Sequence, residues 1–286
     1  MQKTTEHVVR ACPACGQETP HRFLYAKGGC DILQCNACGL GRSETGTFDA
    51  AAYYTEDYFS GRHADGYADY AGTEPVLRRE FARKVDFIRR YRAGGRLLEL
   101  GCAYGFFLQE AKRFYDAAGL ELADAAAASA RQAGLNVVTG AVEEQTLAQF
   151  GRQDVIVLLD VIEHLPDPRQ ALYSAARLLG PGGIMVLTTG DFSSLYARLA
   201  GRHWRLMTPP QHLWFFTPES IRRLAGGLAL RVESLDHPWK VVPLSLMLHQ
   251  LRRMLGWGGA GSAGRIGLPV NLFDAMRVVL RKPAQP

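Results

Sequence analysis

The chain has 286 residues, 47% hydrophobic and 21% charged, the make-up of a folded protein with one large domain and room for a small appendage. No apolar run approaches the roughly 20 residues that cross a bilayer, and the start MQKTTEHVVR lacks an apolar signal core. These features argue against membrane-spanning and exported classes and lead us to expect a cytoplasmic protein; the net charge of +5 names no partner by itself.

The first feature in chain order is a pair of cysteine knuckles, Cys12-Pro13-Ala14-Cys15-Gly16 and Cys35-Asn36-Ala37-Cys38-Gly39, nineteen residues apart. Two thiols bracketing a tight turn chelate one ion, and two such turns complete a tetrahedron with no open position. Residues 1–45 are therefore expected to form a small zinc-ribbon-like module, with structural zinc on Cys12, Cys15, Cys35 and Cys38 and a strand near 21–25. Cys30 and Cys102 fall outside the pattern. Residues 46–95 read as an aromatic linker and a helical cap. The linker is tyrosine-rich from Tyr53 to Tyr70 and should pack rather than stay disordered. Thr73-Glu74-Pro75 supplies a helix start, and Leu77, Phe81, Val85 and Ile88 recur at helical spacing.

Over 96–286 strands alternate with helices. Strands are expected at 97–100, 117–122, 137–139, 154–159, 184–188, 232–235 and 276–280, and helices at 106–114, 125–133, 144–150, 169–179 and 218–224. Gly134 and Gly180 fall where helix C-caps belong. Several strands are continuous apolar runs, as expected when both faces are covered. The pattern implies an α/β fold with a doubly wound, mostly parallel, seven-stranded Rossmann-like sheet. A Leu- and Met-rich stretch near 241–267 interrupts the alternation and is expected to be a helical insertion. From His237 onward seven Lys and Arg face one acid, Asp274, a basic lobe suited to an anionic partner.

Ligands of open α/β sheets bind beyond the carboxyl ends of the strands. The first strand runs into Glu99-Leu100-Gly101-Cys102-Ala103-Tyr104-Gly105, a G-x-x-x-G turn rather than the G-x-G-x-x-G that cradles a pyrophosphate. Glu121 ends the second strand, where a carboxylate can accept hydrogen bonds from both hydroxyls of a ribose. Together these features favour an adenosine ligand without a pyrophosphate.

LLELGCAYGFFL resembles the first motif of class I methyltransferases that use S-adenosylmethionine, GLELA resembles their second-strand acid, and VIVLLDVIEHLPDP their fourth-strand motif. PPQHLWFFTPESIRRL and NLFDAMRVVLRKP are similar to later segments of the branch holding many small-molecule and sugar methyltransferases. CPACG and CNACGL before such a domain are similar to its zinc-bearing sugar and natural-product members. The resemblance covers most of the chain. It implies that Gly101, Cys102, Ala103 and Gly105 line the methionine part and ribose, and that Glu99 holds the glycine turn and the cofactor's amino group. It likewise puts Glu121 on the ribose hydroxyls, Ala141 and Val142 by the adenine, and Asp160 near the sulfonium. Glu121 stands where Asp is usual, and Gly101-Cys102-Ala103 has one glycine fewer than the commoner turn.

Such a cofactor brings its own electrophile, so the protein must orient the acceptor and remove its proton. Histidine is the natural base near neutral pH. His212, among prolines and aromatics after the fifth strand, and His164, after the fourth, are the catalytic candidates. Some quinone-pathway O-methyltransferases resemble the Asp160-Val161-Ile162-Glu163-His164 stretch and use its acids and histidine to hold a divalent cation. Trp204, Trp214, Phe215, Phe216 and Trp239 supply either acceptor pocket or core, and Arg198, Arg202 and Arg205 could hold a phosphate. The expected activity is methyl transfer to a hydroxyl or carbon of a sugar or natural product, with an anionic acceptor suiting the basic residues. The alternative is an RNA methyltransferase whose zinc module grips nucleic acid. Against it, Arg22, Lys27 and Arg42 in that module are opposed by Glu18 and Asp31. Leu158-Leu159-Asp160-Val161 also occupies the strand tip where enzymes acting on base amines carry N/D-P-P-Y/F. The stretch 241–257 could rest on a membrane surface, although helical packing over the acceptor pocket or at a dimer interface is favoured.

Overall fold

The computed structural model describes residues 7–46, 49–53, 74–243 and 267–284. Contacts divide the chain into a first unit, Met1–Phe48 with Val142–Pro238 and Leu272–Pro286, and a second, Asp49–Ala141 with Trp239–Asn271. The first unit opens on an antiparallel meander of β1 (His7–Cys12), β2 (Gln17–Lys27), β3 (Cys30–Cys35) and β4 (Gly41–Glu44). Two of its three turns are the cysteine knuckles. Gly16 and Gly39 close them at φ +71° and +74°, a conformation that costs an L side chain about 1–2 kcal/mol.

The second unit contains α1 (Ala50–Tyr53) and α2 (Glu74–Arg89), then β5 (Arg96–Leu100), α3 (Phe106–Ala111), β6 (Asp116–Glu121), α4 (Asp124–Gln132) and β7 (Asn136–Thr139). Strands β5, β6 and β7 pair in parallel in that order. Leu97, Leu98, Leu100 and Leu120 are fully buried, which explains the unbroken apolar runs. Helix α2 buries Val76, Val85 and Ile88, while Leu77 and Phe81 pack on a small core of Phe106, Ala123 and Ala126. Gly134 ends α4 at φ +75°, as its place in the sequence predicts. Helix α3 stops at Ala111, short of the expected 114, and the Arg89 guanidinium lies 3.8 Å over the Phe114 ring. The tyrosine-rich stretch from 54 to 73 lies outside the described residues.

The first unit resumes with α5 (Glu144–Leu147), β8 (Gln153–Leu159), α6 (Pro168–Leu178), β9 (Leu179–Gly190), α7 (Leu195–Ala200), β10 (Trp214–Phe215), α8 (Pro218–Gly227) and β11 (Arg231–Asp236). After β12 (Lys240–Pro243) and β13 (Gly267–Val270), an antiparallel pair in the second unit, β14 (Ala275–Arg281) completes the first. The order there is β8, β9, β14, β11, with β8 and β9 parallel and β14 antiparallel to both neighbours. Strands β9 and β11 therefore run the same way and end at the same edge.

The two units supply seven strands alternating with helices, the α/β class expected, and β14 is the antiparallel exception. Gly180 is not a helix cap: α6 ends at Leu178 and Gly180 lies in β9, where a Cβ would meet the Arg152 guanidinium at 2.3 Å. Of the insertion expected near 241–267, residues 244–266 lie outside the described residues, and the ends that are described form β12 and β13.

Among the described residues of the basic lobe, two arginines are neutralised internally and one lysine is held by backbone carbonyls. Arg277 pairs with Asp236 and Arg281 with Glu233, each at 2.5 Å, and Lys282 Nζ donates to the carbonyls of Ala176 and Leu179. Among the described residues no helix is long and apolar enough to cross a membrane.

Strand β10 leaves its own neighbourhood in the sequence. It pairs antiparallel with β4, Trp214 opposite Arg42 and Phe215 opposite Gly41, as the fifth strand of the cysteine sheet. Behind it Ile32 shares a buried core with Phe192, Ala197, Trp204, Met207 and Phe215.

Candidate active site and cysteine centre

The glycine turn follows β5 directly. The Gly101 and Cys102 amides donate to the Leu120 carbonyl at 2.8 and 3.2 Å, which folds the turn over the end of β6. Gly101, Ala103 and Gly105 all take positive φ, +73°, +46° and +76°. Ala103 thus occupies the left-handed conformation that the missing glycine would have taken without strain. At Gly105 a Cβ would meet Leu135 Cδ1 at 2.3 Å, so both conformation and space require glycine. Gly119 is required for space alone, since its Cβ would meet Cys102 Sγ at 2.6 Å.

Glu121 anchors this turn. Its two carboxylate oxygens accept from the Ala103 amide at 2.7 Å and the Ala123 amide at 2.8 Å, leaving further lone pairs on each oxygen. Burial raises its pKa above the usual carboxylate value, against the pull of those amides. Glu99 lies within β5 and is only 3% exposed, and its Oε2 has no hydrogen-bond partner. Burial first, and the Glu121 charge second, push the Glu99 carboxyl well above its usual range. A buried acid with an unmet acceptor atom is a seat for a cationic donor. The Cys102 thiol is buried and pushed upward, so it is packing rather than a nucleophile. The Gly140 amide donates to the Glu121 carbonyl at 2.8 Å, which leads the chain from β7 to the half-buried Ala141.

The cysteine centre lies in the first unit. The sulfurs of Cys12, Cys15, Cys35 and Cys38 all lie within 4.8 Å of one another, Cys12 and Cys38 at 3.6 Å, and none forms a disulfide. A tetrahedral ion with metal–sulfur bonds of about 2.3 Å needs sulfur–sulfur separations of about 3.8 Å, so the set fits. The contact with Cys38 draws the Cys12 thiol down to about 5, while burial pushes Cys15 up to about 11. Helix α8 backs the centre. Thr217 caps α8 by accepting from the Ser220 amide, and donates its own hydroxyl to the Cys38 carbonyl at 3.0 Å; Arg223 reaches Cys15 Sγ at 3.9 Å. Cys30 lies apart at the start of β3 and is buried.

At the tip of β8, Asp160 takes a positive φ of +57° and is fixed by Thr188, whose hydroxyl donates to Oδ1 at 3.0 Å. A non-glycine residue held there is strained, a common mark of functional positions. Val142, in the loop before α5, is half-buried. The chain turns through Ile162–His164, and the Leu213 amide donates to the Glu163 carbonyl at 2.9 Å, tying that turn to the loop before β10.

His164 and His212 meet there, their rings 4.6 Å apart at 76°. His164 Nδ1 bonds the Gln211 carbonyl at 2.9 Å and His212 Nδ1 the Leu206 carbonyl at 2.8 Å. A carbonyl only accepts, so each Nδ1 carries the hydrogen and each Nε2 is the lone-pair atom of the neutral ring. Burial draws the two pKa values down to about 4 and about 3, and for His212 the neighbouring His164 adds to the drop. Glu163 joins these histidines in a group whose ligand atoms lie within 4.8 Å. His212 therefore stands in this group, and Asp160, hydrogen-bonded to Thr188, does not.

The aromatic supply divides cleanly. Trp204, Trp214, Phe215 and Phe216 are buried, whereas Trp239 is 65% exposed. Of the three arginines suited to a phosphate, Arg205 is engaged: its guanidinium holds both oxygens of the buried Asp274 at 2.9 and 2.8 Å, and Trp204 Nε1 donates to the same carboxylate. Arg198 and Arg202 are exposed. Sequence reasoning passed over one pair entirely: His237 Nε2 and Asp191 Oδ2 lie 2.8 Å apart. The only signal was that each residue directly follows a strand.

A family described as "Methyltransferase domain" matches residues 75–235. The ubiquinone biosynthesis O-methyltransferase of Caulobacter sp. is 33% identical over 148 residues, 47% of this chain and 58% of that protein. Its counterpart in Methylococcus capsulatus is 28% identical over 187 residues, 59% and 79% of the two chains. The chain thus spans little more than half the length of the first of these relatives. Among solved structures, a SAM-dependent methyltransferase from Archaeoglobus fulgidus aligns with TM-score 0.52 at 16% identity, covering 82% of this chain and all of that one. Magnesium protoporphyrin IX methyltransferase from Synechocystis, solved with bound SAH, aligns with TM-score 0.51 at 13% identity, covering 82% and 96%. At such identities the likeness concerns the fold.

Proposed function

Because the chain belongs to the methyltransferase-domain family, which matches more than half of it, we propose that it transfers the methyl group of S-adenosylmethionine to a hydroxyl of a small-molecule acceptor. The observation that carries this reading is Glu99, whose buried, partnerless Oε2 lies one residue before the end of β5. The turn at Gly101, Cys102, Ala103 and Gly105 gives a methionine moiety and ribose close access to backbone, Glu99 takes the ammonium, and Glu121 takes the ribose hydroxyls. We assign Ala141 and Val142 to the adenine and Asp160 to the sulfonium. When bound, the cofactor supplies an electrophilic methyl group, and the protein's task is alignment of the acceptor. His212 and His164 present neutral Nε2 atoms that receive the acceptor's hydroxyl hydrogen. The names of the sequence relatives support an oxygen acceptor, and the exposed Arg198 and Arg202 suit an anionic one such as a charged sugar or natural product.

Structural zinc on Cys12, Cys15, Cys35 and Cys38 belongs to the same proposal, supported by four clustered thiols without a disulfide. Residues 1–45 then form the zinc module, 46–95 the linker and cap, and 96–286 the catalytic domain. The RNA reading has weaker support. One side of the module is occupied by β10 and α8, and its strands carry no basic stripe.

The test is a label-tracking assay. The protein is incubated with methyl-labelled S-adenosylmethionine and a desalted host extract supplemented with nucleotide sugars, beside a Gly101→Asp control. Label above control among small molecules is the expected result; label in acid-precipitated RNA would replace the proposal with the RNA alternative.

A further inference from the structure

Four thiolates on one Zn²⁺ leave a net double negative charge, and the groups around the sulfurs then decide how firmly the ion is held. The cysteine sheet itself supplies one such group: the hydroxyl of the buried Thr19 lies 3.2 Å from Cys35 Sγ and donates to it as a thiolate. The others come from far along the chain, within the same unit. Thr217, the cap of α8, donates to the Cys38 carbonyl at 3.0 Å. Arg169, the second residue of α6, donates to the Pro13 carbonyl at 3.2 Å and the Gly227 carbonyl at 3.4 Å. Its guanidinium fits because Gly16 and Gly227 lack a Cβ, which would meet it at 2.9 and 2.8 Å. Arg223 of α8 makes the direct contact with a sulfur. Its Nε donates to Glu219 Oε1 at 2.8 Å, one turn earlier, and its Nη1 reaches Cys15 Sγ at 3.9 Å. Among the four ligands Cys15 alone is not fully buried, so loss of an ion would begin there.

We propose that Arg223 retains the zinc: its guanidinium offsets the negative charge of the tetrathiolate at Cys15 and makes α8 part of the metal centre. The planar fork suits this task, because one arm is fixed by Glu219 while another is aimed at the sulfur. A lysine would bring the charge without the second arm. Arg169 complements it from α6 by holding the backbone of the same knuckle, between the two cysteines that Pro13 and Ala14 separate. The ligands are therefore all N-terminal, whereas the cations that face the first knuckle lie within residues 75–235, the stretch that matches the methyltransferase-domain family. Were Arg223 no more than a surface partner of Glu219, it would steady α8 and leave the affinity for zinc untouched.

This role rests on the reading of the four cysteines as a zinc site, and one experiment separates the two. Wild type, Arg223→Gln, Arg223→Lys and Arg222→Gln are prepared with zinc, the last changing the exposed neighbour of Arg223 on α8. Elemental analysis gives zinc per chain, and withdrawal of zinc by a graded chelator gives its Kd. The titrations are run at about 0.1 M and about 1 M salt, between which the Debye length falls from about 10 to about 3 Å. With zinc bound to the wild type, Arg223→Gln is expected to raise the Kd about 10-fold at the lower salt. That is the low end of the roughly 10–100-fold typical of such partners, because this guanidinium is exposed. The gap should narrow at the higher salt, Arg223→Lys should fall between, and Arg222→Gln should match wild type. Equal Kd values for Arg223→Gln and wild type, a gap that salt does not change, or the same loss in Arg222→Gln would overturn the role of Arg223 and leave the zinc site standing. A wild type that holds no zinc would overturn the zinc site, and the role of Arg223 with it.

Discussion

Replacing Glu99 by Gln should stabilise the free protein and weaken its cofactor, two effects of opposite sign from one substitution. The carboxyl is buried and held above its usual range by burial and by Glu121, and its Oε2 lacks a partner. With a folded pKa above the unfolded one, the folded state keeps the extra proton. Stability therefore falls as pH rises from about 4.5 through the raised folded value. Gln is neutral throughout and removes that slope. Leaving a buried polar group unsatisfied costs about 1–3 kcal/mol, more when it is charged. Gln is itself a buried polar group, so it removes only the cost of ionisation, about 1.4 kcal/mol for each pH unit between 4.5 and the raised folded value. The variant should gain on wild type as pH rises and differ least near pH 4.5. Cofactor binding should move the other way. A hydrogen bond between charged groups contributes about 1.5–3 kcal/mol, so the Kd for S-adenosylmethionine should rise about 10- to 150-fold. Urea denaturation across this pH range gives the first quantity and calorimetric titration the second. A variant that gains nothing on wild type as pH rises from 4.5, or one that binds the cofactor like wild type, would refute the assignment of Glu99 as a waiting ammonium seat.

Other consequences can be checked in the same preparations. Ala103→Gly should gain up to about 1 kcal/mol in denaturant unfolding, the relief of a left-handed alanine less the entropy of a glycine. Arg205→Ala should cost about 3–5 kcal/mol by leaving the buried Asp274 charge without its bidentate partner. His164 and His212 have pKa values drawn below the unfolded value, so stability should fall as pH drops from about 6.5 toward 4 while unfolded histidines take up protons. The double Gln variant should flatten that decline in pH-dependent melting. Cys35→Ser should lower bound zinc, read by elemental analysis, and lower the melting temperature with it.

Most of the strand and helix order was legible because its signals are local. Apolar runs of strand length, Gly134 after α4 and the Thr217-Pro218 start of α8 each need only a few neighbouring residues to be read. The cysteine centre and the glycine turn were equally plain, since ligand spacing and backbone demands are written in consecutive residues. What could not be read were pairings set by the fold. Arg205 looked like an anion seat until Asp274, far along the chain, proved to hold it. His237 and Asp191 follow different strands, and only the order β9, β14, β11 brings them together. Gly180 differs for a related reason: a glycine after a helical run suggests a cap, whereas here the chain passes straight from α6 into β9.

The pairing of β4 with β10 also fixes a sequence of events during synthesis. The knuckles and four strands emerge first, but Gly41–Ser43 must wait for Leu213–Phe215, which bring the fifth strand and the Ser43–Leu213 hydrogen bond. At translation rates of about 5–20 residues per second that interval is roughly 10–30 s. Throughout it Ile32 lacks the aromatic cover it has in the finished protein, and the β4 edge is open to other chains. A metal ion captured early would hold the meander in register during that wait, a folding role separate from any it has in the finished protein.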